Sequence, residues 1–204
     1  MHFNPNEIYH VYNRGNDQQI IFFNESNYIF FLEKVRKEWK QYCEILCYCL
    51  MPNHFHFMII PNMEGCKQIP LGDKLTHIQK LSKAIGKTLS SYTMAINNQN
   101  QSKGNLFQKK TKSKCLSDID FLGKKFTPRD YELTCFHYIH QNPLQANLVK
   151  ELKEWLYSSY PDYYGYRKGT LCNKELAMQL LSFSDIDFKD GNSNLDGEII
   201  KGLF

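Results

Sequence analysis

The stretch LCYCLMPNHFHFMII, residues 46–60, restricts the fold of this chain more than any other segment. It is apolar on both sides of a proline-asparagine turn, which predicts an antiparallel hairpin of two strands. Because successive side chains of a strand alternate between faces, His54 and His56 would share one face while Phe55 and Phe57 pack on the other. Two imidazoles on one face can hold a divalent metal when a third ligand is supplied. From the pair alone, solvent-facing polar strand residues are the favoured interpretation.

Alternating and helical periodicities predict strands and helices around this hairpin. Asn24 or Ser26 can cap the first helix, and Thr127 followed by Pro128 predicts the start of a later one. We predict strands at 8–15, 43–52, 54–61 and 106–116, and helices at 24–41, 75–94, 127–142 and 173–181. This order suggests an α+β fold of the split βαβ, ferredoxin-like kind, with an antiparallel sheet, helices on one face and the opposite face open for a site.

Length and composition predict a single domain over residues 1–181. A chain of 204 residues that is 42% hydrophobic can bury one good core. The segment 182–204, rich in Asp, Ser, Asn and Gly, is predicted to be a flexible acidic tail. No apolar run reaches the roughly 18 residues that a membrane span requires, and no secretory signal is recognisable. Seven cysteines without a CxxC pair favour a reducing, cytoplasmic setting.

A basic stretch lies in the middle of the chain, although the net charge is only +4. A local basic stretch in a chain with 14% aromatic residues is compatible with nucleic-acid binding. A solvated lysine face is the usual alternative. The residues concerned are Lys103, Lys109, Lys110, Lys112 and Lys114, in a dozen positions that contain no acid.

The helix predicted after Pro128 carries a second group of candidate residues. Tyr138 and Asn142 are four positions apart, so they project from one helical face. Opposite the two-histidine strand, Asn142 could supply a third metal ligand and Tyr138 a nucleophile. Tyrosines are common in this chain, however, and Asn-Pro is an ordinary helix stop. No spacing rule requires this helix to pack on that strand.

Five segments resemble one family of DNA-processing enzymes. MPNHFHFMII resembles the histidine-hydrophobe-histidine signature of the HUH single-strand DNA endonucleases. FHYIHQNPLQANLV resembles the nucleophile helix of the single-tyrosine HUH transposases, especially the REP-associated tyrosine transposases. YHVYNRGNDQQIIF, GNLFQKK and WLYSSYPDYYG are also similar to that family, so the resemblance runs from about residue 8 to about residue 181.

The resemblance implies a role for each matching position. His54 and His56 match the metal-binding histidines, Tyr138 matches the nucleophile, and Asn142 occupies the place of the third metal ligand. Mg²⁺ or Mn²⁺ is the expected cofactor. His137 and His140 are interpreted as helix surface or, at best, phosphate contacts. Arg14 and the lysines between 103 and 114 are expected DNA-backbone contacts, by charge rather than by motif.

The implied activity is cleavage and rejoining of hairpin-bearing single-stranded DNA through a 5′-phosphotyrosine intermediate, by a monomer or a homodimer. A domesticated relative that binds hairpin DNA without cutting it is the main alternative. A phosphodiesterase that uses water instead of tyrosine is a third, and it would release products with no protein attached.

Overall fold

A computed structural model describes residues 1–72, 76–117, 127–181 and 200. Its strands are β1 (Tyr9–Arg14), β2 (Cys43–Met51), β3 (His54–Pro61), β4 (Gln68–Pro70), β5 (His77–Gln79) and β6 (Lys112–Cys115). Its helices are α1 (Glu25–Trp39), α2 (Met63–Cys66), α3 (Lys80–Gln99), α4 (Pro128–Gln145), α5 (Tyr160–Tyr163) and α6 (Lys174–Leu181), with short 3-10 turns at Asn16–Gln18 and Leu152–Glu154. The predicted acidic tail lies outside these residues, apart from residue 200. Within them, no helix is long and apolar enough to cross a membrane.

The main sheet has four strands in the order β2-β3-β1-β6, and every neighbouring pair is antiparallel. Strand β3 lies between β1 and β2, which are connected by α1, and this is the split βαβ arrangement. Helix α3 then leads to β6 on the far side of β1. The predicted α+β class with a ferredoxin-like antiparallel sheet is confirmed.

One face of the sheet packs against α1 and α3. Phe55 and Phe57 of β3 are fully buried in this layer with Phe31 of α1. Trp39 also belongs to this layer, and its indole Nε1 donates to Thr88 Oγ1 of α3 at 3.0 Å, which ties the two helices together. Because each large buried side chain contributes about 1.5–3 kcal/mol, this layer stabilises the hairpin register that was predicted from the alternation.

The other face is covered in part by α4 and α6, so the expectation of helices on one face is incomplete. Cys135, Phe136 and Ile139 of α4 are fully buried in a second core that includes Cys49 of β2 and Met58 of β3. Strand β2 is buried at every position except one, which is typical of a strand covered on both faces. The part of this face formed by β1, β6 and the start of β3 contributes the residues of the site.

Helix α4 begins as predicted and ends later than predicted. The Thr127 side chain accepts from the Asp130 backbone N–H, and Asp130 in turn accepts from the Thr127 backbone, which forms a capping box. The predicted stop at Asn142-Pro143 is wrong, because the helix continues through Pro143 to Gln145. A proline this close to the helix end removes one hydrogen bond from the last turn only, and Ala146 N–H still donates to the Asn142 carbonyl at 3.0 Å.

The aromatic segment before α5 lies along the edge of β2. The Leu50 N–H donates to the Tyr157 carbonyl at 2.9 Å, and the Ser159 N–H donates to the Tyr48 carbonyl at 3.0 Å. These bonds satisfy backbone groups of an edge strand that would otherwise remain open. The segment is therefore bonded to the edge of β2, and Tyr160, which follows it, is buried in the same core as the apolar residues of α4.

Candidate active site

A cleft with a volume of about 480 Å³ opens where β3 begins and β1 ends. Both strands contribute residues of the same sheet face, because Arg14 and Tyr12 of β1 are paired with His54 and His56 of β3. Tyr138 of α4 completes the wall. The full lining is Tyr12, Asn13, Arg14, Gln18, Asn53, His54, His56, Gln108, Lys110, Lys112 and Tyr138.

His54 lies at the first position of β3 and is held from the adjoining turn. Its Nδ1 is 2.6 Å from Asn53 Oδ1, so the ring donates a proton there and keeps a lone pair on Nε2. That Nε2 is 3.4 Å from Asn142 Oδ1 of α4. Burial lowers the pKa of His54, and the Asn142 oxygen opposes this effect because Nε2 can donate to it only when the ring is protonated. A neutral imidazole with Nε2 available is the form that binds a metal.

His56 is buried deeper on the same face, 3% exposed, with its ring centroid 5.0 Å from that of His54. Its Nδ1 is 2.8 Å from Nε2 of His10, a buried residue of β1. Burial, and then the neighbouring His10 and His54, hold the pKa of His56 well below its usual value. His10 was not identified as a site residue from the sequence. Its spacing could have indicated the role, because His10 is two residues before Tyr12 in a strand and the two side chains therefore share one face of the sheet.

Asn142 connects the histidine pair to α4. Its Nδ2 donates to the Tyr138 carbonyl at 2.8 Å, which turns its Oδ1 toward His54. Two ligand atoms each about 2.1 Å from a metal at angles of about 90–109° are roughly 3.0–3.4 Å apart, so the observed separation fits two neighbouring ligands. In the described part of the chain, no group of three or more His, Cys, Asp or Glu could hold a metal. The amide oxygen of Asn142 is the candidate third ligand, because it faces His54 Nε2 at this separation.

Tyr138 lies beside the histidines, with its ring 5.7 Å from that of His56 in an edge-to-face arrangement. Burial raises the pKa of Tyr138 to about 12, and a side-chain hydrogen bond with Asn142 opposes the increase. The hydroxyl is therefore protonated at neutral pH. To act as a nucleophile, it would need a neighbouring group that stabilises charge in the transition state.

The interpretation of His140 as helix surface is wrong. His140 is 2% exposed, and its Nε2 is 2.7 Å from Ser159 Oγ in the segment along β2. Burial lowers its pKa to about 3. His137 is half-buried, and burial lowers its pKa to about 4. Through Ser159, His140 links α4 to the segment along β2. The helical spacing alone could not predict this contact.

Three of the six predicted DNA contacts line the cleft, and the other three do not. Arg14, Lys110 and Lys112 line the cleft. Lys114 occupies the same face of β6 as Lys112 and is paired with His10. The exposed Lys109 and Lys103 lie outside the cleft, and Lys103 is beside the end of α3. The amides of Asn13, Gln18, Asn53 and Gln108 complete the polar lining, and sequence reasoning did not identify them.

Comparison with known proteins supports the fold through structure rather than sequence. Neither a protein-family model nor a curated protein matches the chain. A solved structure of a REP-associated tyrosine transposase bound to a REP hairpin is similar to it, with a TM-score of 0.54 and 16% sequence identity. The similarity covers 82% of this chain and 84% of that structure. The chain therefore has the α+β fold of that transposase.

Proposed function

We propose that this protein is a metal-dependent single-strand DNA endonuclease and strand transferase that uses Tyr138 as its nucleophile. The observation that carries the proposal is the convergence of two elements about eighty residues apart: His54, His56 and Tyr138 line one cleft, and Asn142 faces His54 from the same helix as Tyr138. The structural similarity to a transposase bound to a hairpin supports a DNA partner.

The reaction replaces one phosphoester bond by another. The Tyr138 hydroxyl attacks the phosphorus, the bond to the 3′ oxygen of the preceding nucleotide breaks, and the proton lost by the tyrosine reaches that oxygen through solvent. The products are a 5′-phosphotyrosine and a free 3′-hydroxyl, and attack by a 3′-hydroxyl reverses the step. A divalent metal, Mg²⁺ or Mn²⁺, held by His54, His56 and Asn142 would offset charge on a non-bridging phosphate oxygen. The hydrogen bond between the side chains of Asn142 and Tyr138, unlike the one to the Tyr138 carbonyl, favours the ionised tyrosine.

Charge and shape support single-stranded DNA as the substrate. Arg14, Lys110 and Lys112 line the same cleft as the histidines, so a phosphate at the site would be surrounded by cations. Tyr12 belongs to the same lining and is half-buried, with a π-face on which a base could stack. An unpaired flank of a hairpin can offer both a phosphate to these cations and an unstacked base to Tyr12, which a base within a duplex does not.

The test is incubation of hairpin oligonucleotides carrying single-stranded flanks with the full chain and Mn²⁺ or Mg²⁺, followed by denaturing gels. A 3′-labelled strand should become attached to protein, and a 5′-labelled strand should become a shorter free product. Tyr138→Phe should abolish the adduct. Tyr166→Phe, at a tyrosine that is 64% exposed and outside the cleft, is the matched control and should retain it.

The other outcomes identify the alternatives. Cleavage without attached protein would indicate a phosphodiesterase that uses water, and it would refute the role of Tyr138. Metal-independent binding of the hairpin with no product, across a panel of flanking sequences, would indicate a binding module.

A further inference from the structure

We infer that His10 is a positioning residue that fixes the tautomer and ring orientation of His56 for metal binding. This inference rests on the proposed function, because it assigns a second layer of residues to the same metal site. It goes beyond that proposal by giving a task to a residue outside the ligand set.

The geometry that supports it is a buried contact between neighbouring strands. His10 is 0% exposed and His56 is 3% exposed, so both rings are shielded from water. His10 Nε2 is 2.8 Å from His56 Nδ1, and the two rings are 23° from parallel with centroids 5.0 Å apart. The strand register places His10 diagonally across from His56, since Tyr12 is the residue directly paired with it.

Tyr12 restricts the His10 ring further. The two rings stack with centroids 4.7 Å apart and 27° from parallel, and the Tyr12 ring is also 5.8 Å from that of His56. A ring held in this way cannot turn its Nε2 away from His56 without losing both the stacking and a buried hydrogen bond. Such a bond is costly to leave unmade in the interior.

The contact has a chemical consequence for the ligand. One of the two facing nitrogens must carry the shared proton. When His10 Nε2 accepts, the proton is on Nδ1 of His56, and Nε2 of His56 keeps its lone pair for a metal. When His10 donates instead, the proton of a neutral His56 is on Nε2, which then cannot coordinate. Ligating histidines commonly have such an outer partner, and its loss typically costs roughly 10- to 100-fold in metal affinity.

The experiment compares three substitutions at this position by Mn²⁺ titration, followed by electron paramagnetic resonance, with thermal unfolding measured in parallel. Gln places an acceptor oxygen near the position of Nε2, and Asn, one methylene shorter, reaches only the position of Nδ1. Phe keeps the ring shape with no acceptor. We expect His10→Asn and His10→Phe to weaken Mn²⁺ binding roughly 10- to 100-fold, and His10→Gln to restore most of the affinity.

The comparison of Gln with Asn keeps the test decisive if His10→Phe fails to fold. Wild-type affinity in His10→Asn, or an equal loss in the Gln and Asn variants, would overturn the role of His10 while leaving the cleavage proposal intact. A wild-type protein that neither binds Mn²⁺ nor forms a DNA adduct would instead refute the proposed function. The two failures are therefore distinguishable.

Discussion

Substitution of Asn142 by Asp or Ala should separate its ligand role from its structural role. The residue is 7% exposed, and the two substitutions affect two of its contacts differently: Oδ1 lies 3.4 Å from His54 Nε2, and Nδ2 donates to the Tyr138 carbonyl at 2.8 Å. Asn142→Asp keeps an oxygen for the first contact and loses the donor of the second. Asn142→Ala loses both contacts, but it places no second oxygen against the Tyr138 carbonyl.

The two variants should therefore rank in opposite orders for stability and for metal binding. Asn142→Ala loses the hydrogen bond to the Tyr138 carbonyl, about 1 kcal/mol, which lowers the Tm by about 2–4 °C in a chain of this size. Asn142→Asp also brings a carboxylate against the carbonyl, for a total of about 1–3 kcal/mol. Mn²⁺ affinity should fall by about 100-fold or more in Asn142→Ala, and Asn142→Asp should bind at least as tightly as wild type because the carboxylate adds charge.

Thermal unfolding in the presence of a chelator measures the first ranking, and Mn²⁺ titration by electron paramagnetic resonance measures the second. Wild-type Mn²⁺ affinity in Asn142→Ala would show that the amide oxygen is not a ligand. An equal loss of affinity in Asn142→Asp and Asn142→Ala, with both variants folded, would also contradict the ligand role, because the oxygen retained in Asp should suffice to bind the metal.

Other predictions concern helix α4 and the lysines inside and outside the cleft. Burial lowers the pKa of His140 from 6.5 to about 3, so the unfolded chain takes up the proton first and stability should fall as the pH decreases across that range. Melts at a series of pH values should show a shallower fall in His140→Gln. Lys112→Ala should reduce the salt slope of hairpin binding by about 1, whereas Lys103→Ala, outside the cleft, should leave it unchanged. Thr127→Ala should cost about 1 kcal/mol of stability.

The local features of the hairpin could be predicted from sequence because alternation alone determines them. His54 and His56 share one face, and Phe55 and Phe57 are buried on the other. Asn24 caps α1 through a hydrogen bond from the Asn27 N–H, as its residue type predicts. Each of these features depends on neighbours within a few positions in the chain.

Features that depend on distant contacts could not be predicted in this way. The docking of α4 on β2 buries His140 against Ser159, and no helical spacing indicates that contact. The hydrogen bond between His10 and His56 requires the register of two strands that are 46 residues apart. Helix α4 also continues through Pro143, which is buried, to Leu144, which packs on the second core, and these distant contacts outweigh a local helix-stop signal.

Peptide mapping of the protein–DNA adduct shows which residue forms the bond to DNA, and we propose that this residue is Tyr138. The protein–DNA product, trimmed with nuclease and protease, can be sequenced by mass spectrometry to locate the residue that carries the nucleotide. Tyr12 is the informative competitor, because it lines the same cleft and its ring is 5.8 Å from that of His56. We expect the nucleotide on Tyr138 alone. A nucleotide on Tyr12, or an adduct that persists in Tyr138→Phe, would contradict it.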